Sequence, residues 1–220
     1  MNSHTHSPES ATQTEGRLIR WASFYDSVVN ILSLGQAQRL RKMTIDQALL
    51  KPGESLLDVG CGTGAVTIPA KKRIGQYGMA AGIDPAPEMI AFARQKASRM
   101  ELEIDFRIGV IEALPYPDAS FDVVTSSLMM HHLPHDLQVK GLAEIYRVLK
   151  PGGRLLIVDM MRPSVSFWKQ LFVSLALHHG LKFGIEDMPE LLKSAGFSTA
   201  SQLDERFLVI GFVRAVKPTA

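Results

Sequence analysis

A single cysteine, Cys61, occurs in this 220-residue chain, which excludes an intrachain disulfide and a thiolate metal cluster. That scarcity fits a reduced, cytoplasmic setting. Long apolar runs are also missing. No window holds enough consecutive apolar residues to span a bilayer, so stable membrane insertion is not expected. Charge of one sign is missing too: 24 Lys and Arg face 22 Asp and Glu, a formal net charge of +2. Such a balance gives no case for a nucleic-acid partner. The densest basic cluster, Lys71-Lys72-Arg73, reads as a solvated helix end, where cations complement the helix dipole. Residues 1–15 are rich in Ser, Thr, His and Pro and lack an apolar segment, so they read as a disordered tail rather than a signal peptide. The apolar fraction is ordinary, no internal repeat occurs, and residues 16–220 suffice for one sizeable core.

What is present centres on Leu56-Leu57-Asp58-Val59-Gly60-Cys61-Gly62-Thr63-Gly64-Ala65-Val66-Thr67. Leu56, Leu57 and Val59 form the short apolar run of a strand covered on both faces. Gly60, Gly62 and Gly64 then remove side chains where the backbone must turn tightly and admit a ligand against it. A dinucleotide site asks for G-x-G-x-x-G/A, and Gly60, Gly62 and Ala65 satisfy it. Asp58 points elsewhere. A carboxylate ahead of the turn repels a pyrophosphate but suits a ligand with an ammonium group, such as S-adenosylmethionine.

Around this stretch, strands and helices alternate. Helical spacing runs over 17–30 and 37–50, interrupted at Ser33-Leu34-Gly35; this pair either packs on the sheet or forms a lid over the glycine loop. A turn at Lys51-Pro52-Gly53-Glu54 launches the first strand, and a helix starts near Gly64. Residues 79–84 read as the second parallel strand. Asp84, at its C-terminal end, is placed to accept both ribose hydroxyls of an adenosine, because Pro85 and Pro87 already start the next helix. That helix buries Met89, Phe92, Ala93, Ala97 and Met100, and Met89 is placed to reach the adenine. Strands follow at 104–108, 120–127 and 155–159. Between the last two lies Leu128-Met129-Met130-His131-His132-Leu133-Pro134, a loop on the ligand side of a parallel sheet. His135-Asp136 is read as capping a helix with the core stripe Leu142, Ile145, Tyr146 and Leu149, ended by Lys150-Pro151-Gly152-Gly153-Arg154. Residues 161–183 form a strongly apolar run, readable as a helix over the sheet edge, a dimer contact, or the wall of a hydrophobic substrate pocket. A short helix at 186–194, stopped by Gly196, and an antiparallel hairpin of 199–203 with 207–216 close the domain.

The segment from Leu56 to Thr67 resembles motif I of the class I S-adenosylmethionine-dependent methyltransferases. Tyr25-Asp26, Asn30 and Ser33-Leu34-Gly35 resemble the opening of the ubiquinone/menaquinone-biosynthesis C-methyltransferases, where this segment closes over the cofactor. Gly109-Val110-Ile111-Glu112-Ala113-Leu114-Pro115-Tyr116 resembles the family's G-D-A-E-x-L-P-F, with Val110 where the adenine-contacting Asp usually stands and Ile111 replacing a small residue. Adenine recognition there is expected to be apolar and main-chain, with Glu112, a carbonyl or water taking the amino group. Losing one polar contact costs about 1–2 kcal/mol. Ser127 matches a cofactor-contacting position, and the P-G-G-x-L run of Pro151 to Leu155 also matches. The likeness spans Tyr25 to Val216 and thins after Arg162. It implies a Rossmann-like α/β doubly wound sheet of strand order 3-2-1-4-5-7-6, last strand antiparallel, with an N-terminal helical cap at 16–50 and a variable substrate-side segment at 160–186. The cofactor set it implies, with the residue reading, is Asp58, Gly60, Cys61, Gly62, Gly64, Thr67, Asp84, Pro85, Met89, Val110, Ile111, Glu112 and Ser127.

Methyl transfer from a sulfonium is an in-line displacement that calls for alignment and exclusion of water, and no metal. For a phenol, hydroxyl or activated ring carbon a base lowers the barrier, and His131 or His132 is the right group; one or both are equally readable as structural. Tyr25 is a third candidate. No N/D-P-P-Y tetrapeptide is present, and one cysteine is too few for the arsenite-methylating enzymes. A small, apolar or aromatic acceptor remains, through quinone-type C-methylation or natural-product O-methylation. Two rivals stay open: an NAD(P)-dependent oxidoreductase, through Gly60-x-Gly62-x-x-Ala65, and a non-catalytic S-adenosylmethionine-binding subunit.

Overall fold

The computed structural model describes residues 36–162 and 184–219. Tyr25, the 17–30 helix and most of the 160–186 segment therefore lie outside the described residues, as does the 1–15 tail. Helix α1 (Ala37–Gln47) leads into β1 (Ser55–Val59), then α2 (Thr67–Ile74), β2 (Met79–Asp84), α3 (Pro87–Arg99), β3 (Asp105–Ile108) and β4 (Phe121–Ser127). After a 3-10 turn at Met130–His132 come α4 (His135–Val148), β5 (Leu149–Met160), α5 (Met188–Ser194), β6 (Thr199–Phe207) and β7 (Ile210–Val216).

The seven strands form one sheet in the order β3-β2-β1-β4-β5-β7-β6, as expected. β1 pairs in parallel with β2 and β4, β4 with β5, and β7 runs antiparallel to both β5 and β6. Adjacent residues of β1 serve opposite faces. Leu57 and Val59 pack with Ile83, Val124, Ile145 and Ile157, whereas Leu56 packs with Leu40, Val66, Ile74, Val123 and Phe212. Helices cover both faces, which is why the central strands read as continuous apolar runs.

Several boundaries differ from the sequence reading, each for a local reason. Helix α2 begins at Thr67 rather than near Gly64, because Gly60, Gly62 and Gly64 all hold positive φ (74°, 51° and 75°), which no α-helix accepts. Lys71 is not a solvated helix end: it is 8% exposed, and its ammonium donates to the carbonyls of Gly75 (3.2 Å) and Gly78 (2.5 Å) just past the helix. Lys72 and Arg73 are exposed. Met100 is 48% exposed where burial was expected, since the helix has ended at Arg99; Phe92 is half-buried, and the buried residues of α3 are Met89, Ile90, Ala93 and Ala97. No side chain caps α4; Pro134 occupies its N-cap. On the same helix Tyr146 is only half-buried, packing edge-on against Phe197 with ring centroids 5.2 Å apart. Leu149 is buried as expected but belongs to β5, whose pairing with β4 breaks register between Phe121 and Val123 while the 150–153 turn bulges out. At the far edge, Leu208 with φ 55° turns the hairpin, so Phe207 ends β6 instead of starting β7.

Candidate functional site: a crevice at the strand ends

The C-terminal ends of β1, β2, β4 and β5 open on one side of the sheet, where crossovers leave a ligand crevice. The glycine bend is its floor. Backbone N–H groups of Gly60 and Cys61 both donate to the Ile83 carbonyl (2.8 and 3.0 Å), tying the bend to β2. A Cβ on Gly60 would stand 2.5 Å from Met129 Cγ, and one on Gly64 2.9 Å from Phe106 Cζ. At Gly62 a Cβ would meet no protein atom within 4 Å, so the backbone there faces open space in which a ligand can lie. Asp58, Gly60, Cys61, Gly62, Ser127 and Leu128 line one cavity with Ala37, Leu40, Arg41 and Thr44 of α1.

Two carboxylates frame the bend. Asp58 is 1% exposed; its oxygens accept from the hydroxyls of Thr67 (2.6 Å) and Thr125 (2.8 Å), so Thr67 anchors the acid and the first turn of α2. Burial pushes Asp58 up to about 6, against those two hydroxyl bonds and with a smaller upward push from the Asp84 charge. Asp84 accepts from the backbone N–H of Gly62 (3.0 Å) and of Ala86 (2.9 Å). It thus staples the glycine bend to the approach of α3, combining the turn role with a crevice position. Burial raises its pKa as well, opposed by those N–H donors. Cys61 is buried at 6% exposure, and desolvation, then the Asp58 and Asp84 charges, keep its thiol protonated.

The remaining sequence-predicted residues divide. Pro85 is half-buried beside Asp84, and Met89 is 3% exposed in a small cluster with Ala86 and Phe92. Val110 and Ile111 are buried (5% and 6%), and the Ile111 side chain presses on Gly141 of α4, where a Cβ would stand 2.5 Å from Ile111 Cδ1. Ile111 therefore offers a ligand its main chain only. Glu112 Oε2 is buried without a hydrogen-bond partner. An unsatisfied buried acceptor costs about 1–3 kcal/mol, which an amino group such as that of adenine would offset. Open space over Gly62 and this orphaned acceptor fit S-adenosylmethionine: the bend, Asp58, Asp84, Glu112 and Ser127 would hold it.

The histidines sit two and three residues past Met129, whose side chain covers Gly60. His131 Nδ1 lies 2.5 Å from Asp159 Oδ1, and the His131 backbone N–H donates to Asp159 Oδ2 (3.1 Å). Asp159 is 1% exposed and also accepts from Met160 N–H (2.7 Å). The His131 and His132 rings have centroids 3.9 Å apart at 45°. Sequence reasoning missed Asp159, which read only as a strand end, and Gln138. The latter, 1% exposed on α4, donates its amide hydrogens to the carbonyls of Met130 (3.0 Å) and Leu133 (3.2 Å), bracketing the histidine turn. A polar residue inside the apolar stripe of α4 was the available signal. Among the described residues no group of three His, Cys, Asp or Glu is placed to hold a metal ion, and no helix is long and apolar enough to cross a membrane.

Comparison with known proteins gives the family. The protein family described as "Methyltransferase domain" matches residues 56–153. A demethylmenaquinone methyltransferase of Deinococcus radiodurans is 36% identical over 177 residues, 78% of this chain and 72% of that protein. One from Listeria monocytogenes serotype 4a is 36% identical over 149 residues, 67% of this chain; the match spans 62% of the relative's length. In fold, the chain resembles the crystal structure of a SAM-dependent methyltransferase from Aquifex aeolicus, with a TM-score of 0.70 at 23% identity, covering 89% of this chain and 97% of that one. The dinucleotide reading of Gly60, Gly62 and Ala65 gives way accordingly: this chain belongs to the class I S-adenosylmethionine-dependent methyltransferases.

Proposed function

We propose that the chain methylates a small acceptor carrying an ionisable hydroxyl, of the phenol or hydroquinone type, with His131 as general base. The His131–Asp159 pair beside the glycine bend carries this reading. A carboxylate only accepts, so Nδ1 bears the hydrogen and Nε2 is left with its lone pair. The bound donor supplies the electrophilic methyl group. Asp159 fixes the ring by accepting from both Nδ1 and the backbone of the same residue, and Gln138 holds the turn that presents it. Taking the hydroxyl proton onto Nε2 enriches the oxygen and the conjugated ring carbons alike, so one base serves O- or C-methylation. The relatives named demethylmenaquinone methyltransferases favour a quinone-type acceptor in its reduced form and a ring carbon as the methyl's destination.

The test uses the full chain, methyl-labelled S-adenosylmethionine, and a panel of reduced naphthohydroquinones and phenols beside their O-methylated counterparts. Label is expected only in acceptors with a free hydroxyl, with a 100- to 10,000-fold slower rate for His131→Ala, the usual range for general bases. Equal transfer to acceptors lacking that hydroxyl refutes the base. S-Adenosylhomocysteine binding without transfer to any acceptor points instead to a cofactor-binding subunit.

A further inference from the structure

The basic run at the end of α2 has no part in the donor crevice. Lys72 and Arg73 instead border an open groove of about 530 Å³ between α2 and α1, a volume in the range of small-molecule sites. Lys42 and Ile45 stand on the α1 wall, Pro69, Lys72 and Arg73 on the α2 wall. Ile45, 6% exposed, and the half-buried Pro69 give the groove an apolar floor. No acid is among its described lining residues. Asp46, one turn past Lys42, bonds Lys42 and Arg73 at 2.7 Å each. It thereby ties the two helices together and fixes the spacing of the two cations, which stay open to solvent at 78% and 50% side-chain exposure. Three cations against this one carboxylate leave an excess of two positive charges, as large as the formal net charge of the whole chain. Arg41 also lines the groove but already has an interaction of its own, and the excess does not depend on it. The dipole of α2 favours cations at this end, yet Lys71 already answers the carbonyls just past the helix. Lys72 and Arg73 are therefore more than a helix end requires.

We propose that this groove binds a small phosphate monoester, with the phosphoryl group among Lys42, Lys72 and Arg73 and the organic part on Ile45 and Pro69. Such an ester carries a charge of about −1.5 to −2 at neutral pH, which matches the excess between the helices. The Arg73 guanidinium presents a planar fork of N–H donors to phosphate oxygens, and the two lysines act as point charges. Because the cations are open to water, the pairing weakens as salt rises. The site is separate from the methyl-transfer crevice and does not rest on the acceptor proposed above.

The test is calorimetric titration of the full chain at fixed ionic strength, with phenyl phosphate and inorganic phosphate as probes. Phenyl phosphate is expected to bind, and more tightly than inorganic phosphate because its ring covers the apolar floor. Lys72→Ser is expected to weaken it about tenfold, the loss of one charge-assisted contact, and Lys72→Arg to restore it. Arg39→Ser removes the same charge from an exposed position of α1 outside the groove, so affinity there is expected to stay within about twofold. An unchanged melting temperature shows that each variant is folded. No binding of phenyl phosphate, or equal losses in Lys72→Ser and Arg39→Ser, overturns the site. Equal affinity for the two probes overturns the ester and its apolar contact. Lys72-dependent binding to vesicles containing phosphatidic acid, without binding of phenyl phosphate, overturns the small ligand in favour of a lipid headgroup.

Discussion

Replacing Asp159 with Asn tests the base assignment most directly, because shape is nearly kept while the acceptor pattern changes. Both carboxylate oxygens accept: one from Met160 N–H and His131 Nδ1, the other from His131 N–H. An amide has only one acceptor oxygen. In one orientation its NH2 faces the His131 backbone N–H and leaves that donor unsatisfied. In the other it faces Nδ1 and Met160 N–H, which drives the imidazole proton to Nε2 and removes the base. Either way a buried donor is unpaired, costing about 1–3 kcal/mol of stability. The second orientation costs catalysis as well. A misplaced tautomer removes most of a general base's contribution, so kcat is expected to fall about 100- to 1,000-fold, or about 3–4 kcal/mol in barrier. S-Adenosylhomocysteine affinity is expected to stay within twofold. Rates are to be measured with hydroquinones of graded acidity: an acceptor already ionised at the assay pH needs no base and is expected to lose little. A uniform loss across the series, or a loss that follows donor affinity, would show that Asp159 only supports the loop.

Donor affinity should depend on pH through Asp58. Burial holds it near 6 against an ordinary 3.8, so the folded chain keeps this proton more readily than the unfolded one. Its contribution to stability therefore grows as pH falls from about 6 toward 3.8, while S-adenosylhomocysteine binding weakens roughly tenfold per unit below 6; a flat titration between pH 5 and 7.5 removes the ammonium role. Asp84→Ala is expected to weaken the donor strongly, by freeing the Gly62 and Ala86 N–H groups and removing the ribose acceptor. Unchanged affinity in calorimetry would refute the ribose assignment. Gln138→Met keeps the volume but drops both bonds to the Met130 and Leu133 carbonyls, so kcat should fall at least tenfold with donor affinity intact; a matched fall in both would mean that the whole crevice had shifted.

The strand order was legible through the likeness to the class I methyltransferases, while the residues themselves showed the alternation of strands and helices and the single bend marked by Gly60, Gly62 and Gly64. The Asp58 and Asp84 positions followed from that frame. Asp159 did not, since it lies 28 residues from His131 and only the parallel pairing of Ser127 with Val158 brings the two strand ends level. Lys71 looked like any basic helix end; that its ammonium folds back onto the Gly75 and Gly78 carbonyls depends on a turn whose path local sequence does not dictate. Ile111 read as an adenine contact by position along the chain, whereas its side chain is claimed by the gap that Gly141 leaves in α4. Tertiary packing, not propensity, decided each of these.

Cys61 is the chain's sole thiol and is itself part of the bend that would carry the methyl donor, 6% exposed and packed with Ile68, Ile90 and Phe106. A maleimide or disulfide reagent can reach it only when that bend lifts away, so the labelling rate of the intact chain is a clock for local opening. The clock should slow when the crevice is filled, giving a spectroscopic handle on occupancy without any engineered probe.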